Sequence, residues 1–132
     1  MRRVFADTSY FIAVIVPDDV AHARAQALAN EQFRLVTTAW IMTELAAYLS
    51  APDNRALFNR LLARLRTSPV VEFIPASQEL FDRGTELYAA RADKSWSLVD
   101  CISFHVMESE GITDALTTDH HFIQAGFKSL LL

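Results

Sequence analysis

A chain of 132 residues, 52% of them hydrophobic, is long enough to bury a real core and fits one domain, 1–132. Its net charge of −4, from 12 basic and 16 acidic residues, excludes a protein whose whole surface attracts nucleic acid, though not one with a local basic rim. A single cysteine, Cys101, excludes an internal disulfide, no Cys/His spacing fits a zinc site, and no apolar stretch approaches the roughly 20 residues that span a bilayer.

The expected setting is therefore a reducing cytoplasm, with no membrane. Arg2, Arg3, the apolar run Tyr10 to Val16 and Ala21-His22-Ala23 have the outline of a secretory leader. Asp7 splits that apolar region, and Asp18 and Asp19 stand just before the cleavage point, so secretion is not expected.

Arg3 to Ala6 reads as a first strand, ending on Asp7-Thr8-Ser9. Asp7 is the only charge between Val4 and Val16, and an unpaired buried charge costs several kcal/mol unless something cationic meets it. The same residues also suit a helix N-cap. Ser9 to Val16 reads as a short buried helix closed by Pro17, and Asp18 caps another running to about Asn30, with Val20, Ala23, Ala27 and Leu28 inward.

A second strand, Phe33 to Thr37, leads through Thr38 as N-cap into a helix from Ala39 to Leu49, in which Glu44 is the only charge. With Trp40, Ile41, Ala47 and Tyr48 one turn away, Glu44 is expected to project from an apolar face. After Ala51-Pro52-Asp53-Asn54, a helix from Arg55 to Arg66 presents Leu57, Phe58, Leu61, Leu62 and Leu65 as an apolar stripe. The paired helices from 39 to 66 hold more apolar surface than one small core requires, which points to a protein partner or a second copy.

Val70 to Ile74 forms a third strand, and Ser77 opens a helix to about Ala92 with Leu80, Phe81, Leu87 and Tyr88 buried. Beyond the loop Asp93 to Trp96, Ser97 and Asp100 have the spacing of a capping box. Asp100 is also the only charge from Leu98 to Met107, in a helix apolar nearly all round and hence buried. Gly111 ends that helix. A fourth strand, Ala115-Leu116-Thr117, delivers Thr118, Asp119, His120 and His121, and a last strand runs from Phe127 to about Leu131.

Strands alternating with helices imply an α/β fold, a parallel sheet of four to five strands covered by helices on both faces. In that architecture strand carboxyl ends and helix N-termini share one edge, so Asp7, Glu44, Asp100 and Asp119 are expected to converge there. Ligands in such sheets sit where the strand order reverses, commonly between the first and fourth strands, which carry Asp7 and Asp119. Four converging carboxylates repel one another unless hard divalent cations join them, and oxygen ligands suit Mg²⁺ or Mn²⁺. A centre of that kind serves phosphodiester hydrolysis.

The residues Asp7-Thr8-Ser9, Thr43-Glu44-Leu45, Ser97-Leu98-Val99-Asp100 and Thr117-Thr118-Asp119-His120-His121-Phe122 stand in the order and spacing of a known family. Almost end to end, the chain resembles the PIN-domain ribonucleases, and among them the VapC-type toxins of bacterial and archaeal toxin-antitoxin pairs. The resemblance implies a PIN-like three-layer fold and a Mg²⁺- or Mn²⁺-dependent endoribonuclease, inhibited by a cognate antitoxin and usually a homodimer. It further implies that Asp7, Glu44 and Asp100 are central, that Asp119 helps to hold the metal, and that Thr8, Ser9 and Thr117 support the site through hydrogen bonds.

Some relatives carry an acid at the position of His121, which leaves the number of ions open. His22 and His105 read as structural and Asp93 as a loop residue. Transfer, ribosomal and messenger RNA all remain candidate substrates, because Arg55, Arg60, Arg64, Arg83, Arg91 and Lys94 suit any phosphate backbone. The competing readings are a PIN-like module that binds RNA or protein without cutting, and a receiver-like or dehalogenase-like phosphoryl module. The dehalogenase type needs a second Asp where this chain has Ser9, and Asp18 and Asp19 stand too far downstream for the receiver type's acidic pair.

Overall fold

The structure, a computed structural model, describes residues 1–132. Strand β1 (Arg2–Ala6) is followed by α1 (Thr8–Ile15), α2 (His22–Leu28), β2 (Phe33–Thr38) and α3 (Ala39–Tyr48). A short 3₁₀ turn, Pro52–Asn54, leads into α4 (Arg55–Thr67), and then come β3 (Val71–Ile74), α5 (Gln78–Ala90) and α6 (Leu98–Ser109). The chain ends with β4 (Asp114–Leu116), α7 (His120–Gln124) and β5 (Lys128–Ser129).

All pairings are parallel and the strand order is β3-β2-β1-β4-β5, so the sheet reverses direction of winding between β1 and β4, as the sequence led us to expect. Side chains alternate across the sheet and build two cores. Val4 and Leu116 pack with Ala13, Ala25 and Leu28 under α1 and α2. Phe5, Val36 and Ala115 face the larger cluster, where Ile41, Leu45, Phe104 and Phe122 come from α3, α6 and α7.

Helix ends aim the chain at the sheet. Thr38 and Ser77 cap α3 and α5 by accepting from the amides of Ile41 and Leu80. Gly111 and Gly126, at φ 68° and 96°, take the left-handed conformation that closes α6 and α7. Beyond each, an amide reaches back into the last turn: Ile112 N to Met107 O at 2.8 Å and Phe127 N to Phe122 O at 3.0 Å.

Several expectations need correction. Helix α2 starts only at His22, because Pro17–Ala21 form turns in which Asp19 accepts from the Ala21 amide at 2.9 Å instead of Asp18 capping a helix. Its inward side chains are consequently Ala25 and Leu28, with Ala21 at its N-cap, whereas Val20, Ala23 and Ala27 face solvent. On α5 the contact line is Leu80, Gly84 and Leu87, while Phe81 and Tyr88 are exposed. Gly84 lies so close to α6 that a Cβ there would stand 2.3 Å from Ile102 Cγ1. Glu44 projects from an open part of α3 beside exposed Thr43, Ala47 and Tyr48, not from an apolar face. The last strand is only Lys128–Ser129, because residues 130 and 131 turn their side chains into the smaller core. The leucine stripe of α4 is half-buried: only Leu65 is fully covered and Leu57 is exposed.

Candidate metal centre

Paired strands place the first two groups. Phe5 and Ala6 of β1 stand opposite Ala115 and Leu116 of β4, and the ladder continues with the Asp7 amide donating to Leu116 O at 3.1 Å. Asp7 and Thr117 therefore leave the sheet side by side, and Thr117 Oγ1 donates to Asp7 Oδ2 at 2.8 Å. Ser9 Oγ donates to the same oxygen at 3.0 Å. Asp7 occupies the N-cap position of α1, yet its side chain caps nothing; the carboxylate is directed to these hydroxyls instead.

Ser9 Oγ also accepts from the Thr118 amide at 3.0 Å, and Thr117 Oγ1 from the Asp119 amide at 2.9 Å. One hydroxyl pair thus ties the end of β1 to the loop that carries Asp119. On the other side, Thr8 Oγ1 donates to Glu44 Oε1, linking the first turn of α1 to the second turn of α3.

The expected capping box is present: Asp100 N donates to Ser97 Oγ and Ser97 N donates to Asp100 Oδ2, both at 3.0 Å. The same Oδ2 lies 2.9 Å from His121 Nδ1. Asp119 caps α7 by accepting from the His121 amide at 2.8 Å, and its Oδ1 lies 3.3 Å from the His121 ring.

Burial makes these charges costly. Asp7 is only 6% exposed, and desolvation pushes its carboxyl up to about 6 despite the opposing hydrogen bonds from Thr117 and Ser9. Asp100 is raised as well, again chiefly by burial, with the Ser97 amide and His121 working against the shift and Asp119 adding to it.

Asp7, Glu44, Asp100 and Asp119 all line one cleft of about 570 Å³, together with Thr8, Ser9 and His121. Thr117 lies fully buried beneath it. No lysine or arginine lines this cleft. Asp93 stands apart, exposed and paired with Arg91 at 3.0 Å, and Arg55, Arg60, Arg64, Arg83 and Lys94 also lie outside. His22 turns Nδ1 to Ala13 O at 2.6 Å, at the seam of α1 and α2. Sequence reasoning missed Tyr48, Ile12 and Thr118 on the cleft wall, and left His121 undecided because some relatives carry an acid at that position.

The donor set suits a hard divalent cation. Two carboxylates are buried with no lysine or arginine beside them, two more stand at the rim, and Asp100, Asp119 and His121 each offer one ligand atom within 4.8 Å of the others. Oxygen donors of this number suit Mg²⁺ or Mn²⁺.

Comparison with known proteins bears on the family and the fold. The PIN domain family model matches residues 4–128. The 23S rRNA-specific endonuclease VapC20 of Mycobacterium tuberculosis is 30% identical over 126 residues, covering 94% of this chain and 95% of that protein. The crystal structure of VapC20, described as a sarcin-ricin loop cleaving toxin, superposes with a TM-score of 0.83 at 27% identity, over 94% of this chain and 95% of that one. FitAB bound to an IR36 DNA fragment gives a TM-score of 0.70 at 16% identity, covering 98% and 96% of the two chains, which bears on the fold alone. With the model covering nearly the whole chain and a VapC relative matched end to end, the chain belongs to the PIN-domain family and is a VapC-type member of it.

Proposed function

We propose that this chain is a metal-dependent endoribonuclease, the toxin component of a toxin-antitoxin pair, with Asp7, Glu44, Asp100 and Asp119 as its catalytic acids. The observation that carries this reading is four carboxylates from four separate elements in one cleft that no lysine or arginine enters. Asp7, Asp100, Glu44 and Asp119 would hold Mg²⁺, or Mn²⁺ in its place. When bound, such an ion supplies Lewis-acid charge to a phosphodiester and makes hydroxide available near neutral pH.

The chain's own groups prepare that chemistry. Thr117 and Ser9 fix Asp7 and leave it charged toward the cleft, the capping box sets the Asp100 carboxylate, and Thr8 orients Glu44. A substrate phosphate is repelled by the bare acids, so binding of RNA is coupled to binding of the cation.

The partners proposed are RNA, a cognate antitoxin and a second copy of the chain. Exposed Tyr48, Phe81 and Tyr88, and an apolar groove between α3 and α4 lined by Ala46, Leu49 and Phe58, support a protein partner. VapC20 is named for 23S rRNA, and on that likeness we would test large-subunit ribosomal RNA first.

The test is incubation of antitoxin-free protein with total RNA in Mg²⁺, Mn²⁺ or chelator, with new ends mapped by sequencing. We expect discrete cuts that vanish in chelator and in Asp100→Asn. Cuts at wild-type rate from Asp100→Asn would refute the assignment. Antitoxin binding with no cleavage of any RNA would favour the non-cutting module.

A further inference from the structure

His121 is the only nitrogen-bearing side chain that faces the cleft. Its ring stands between two carboxylates, with Nδ1 2.9 Å from Asp100 Oδ2 and 3.3 Å from Asp119 Oδ1. Two neighbouring ligands of an octahedral ion with bonds of about 2.1 Å lie about 3.0 Å apart, so both separations match a shared cation. The third distance, between the two carboxylates, also stays within 4.8 Å.

The ring is held in place by the fold. The His121 amide is bound by Asp119, and the next residue, Phe122, is fully buried edge-on against Phe104 of α6, with centroids 4.9 Å apart. Phe122 thereby fastens α7 to the helix that carries Asp100. Asp100 Oδ2 already accepts the Ser97 amide, and Asp119 Oδ1 already accepts the His121 amide.

Resting on the reading of this cleft as a metal centre, we propose that His121 Nδ1 is itself a ligand of the divalent cation, beside Asp100 and Asp119. The centre is then a mixed nitrogen and oxygen site. Imidazole suits transition ions, whereas Mg²⁺ prefers oxygen, so His121 tilts the site from Mg²⁺ toward Mn²⁺. The ligating ring carries its proton on Nε2, which leaves the Nδ1 lone pair free for the ion.

The full-length protein, loaded with less than one equivalent of Mn²⁺, is examined by electron spin echo envelope modulation. Coupling to one ¹⁴N nucleus is expected in the wild type and in His120→Gln, and its loss in His121→Asp and His121→Gln. In a Mg²⁺ competition, His121→Asp also lowers the preference for Mn²⁺ over Mg²⁺. Mn²⁺ bound in an Asp7-dependent way without ¹⁴N coupling overturns the ligand role of His121 and leaves the metal centre intact; coupling that persists in both His121 variants overturns that role too. No Mn²⁺ binding by folded wild type overturns the ligand role and the metal centre together.

Discussion

At the scale of single residues, the site is built from charges held where the fold alone disfavours them. Asp7 has an ordinary carboxyl value of 3.8 and is pushed up to about 6 in the folded chain. The folded protein binds that proton more tightly than the unfolded one, so the penalty is absent below pH 3.8, grows as pH rises toward about 6, and is complete above it. A shift of this size corresponds to about 3 kcal/mol at most. Asp7→Asn should therefore be more stable than wild type at pH 7.5 in chelator, by up to about 3 kcal/mol, with the two converging below pH 4. Added Mn²⁺ should stabilise only the wild type, since an ion that binds the folded state alone raises its stability. Urea melts at pH 3.5 and 7.5, with and without Mn²⁺, check this; equal stabilities at pH 7.5 in chelator would contradict it. Asp7 and Asp100 were legible in the sequence because each is a lone charge in an apolar run. The setting of Glu44 was misjudged because neighbours one turn away in sequence do not reveal which side of α3 the sheet covers.

The elements owe their positions to small contacts as much as to large ones. Alternating strands and helices, and the turn residues between them, were enough to order the sheet. The contact between α5 and α6 was not visible, because a search for bulky apolar residues selects Phe81 and Tyr88 and passes over Gly84. At that site Gly84→Ala gains about 1 kcal/mol of helix propensity but forces Ile102 aside, and overpacking of this kind costs about 1–3 kcal/mol. We expect a net loss of stability in urea melts and slower RNA cleavage, since Ile102 lies two residues beyond Asp100 on α6. A variant as stable as wild type would mean that the helices part freely. The start of α2 was missed for a related reason: Asp18 and Asp19 both look like caps, and only the turn made by Asp19 decides between them.

For the whole molecule, the order β3-β2-β1-β4-β5 puts the ends of β1 and β4 at the reversal point, with two helical layers walling off the sheet on either side. The acids then face outward along one edge of a protein of net charge −4. No lysine or arginine lines the cleft, so RNA is expected to need the cation rather than a basic track. Binding of a 2′-O-methyl RNA should be lost in chelator, and in Mn²⁺ log Kd should change with log salt by a slope of less than about 3. A slope above about 5, unaffected by chelator, would assign binding to the arginines outside the cleft.

The central claim is that Asp7, Glu44, Asp100 and Asp119 form a cation centre, and anomalous diffraction from crystals soaked in Mn²⁺ tests it most directly. A peak in the cleft, within about 2.2 Å of Asp100 and Asp119 oxygens and absent from Asp7→Asn crystals, is the predicted result. An empty cleft at saturating Mn²⁺, or a peak only on the outer surface, would contradict the account.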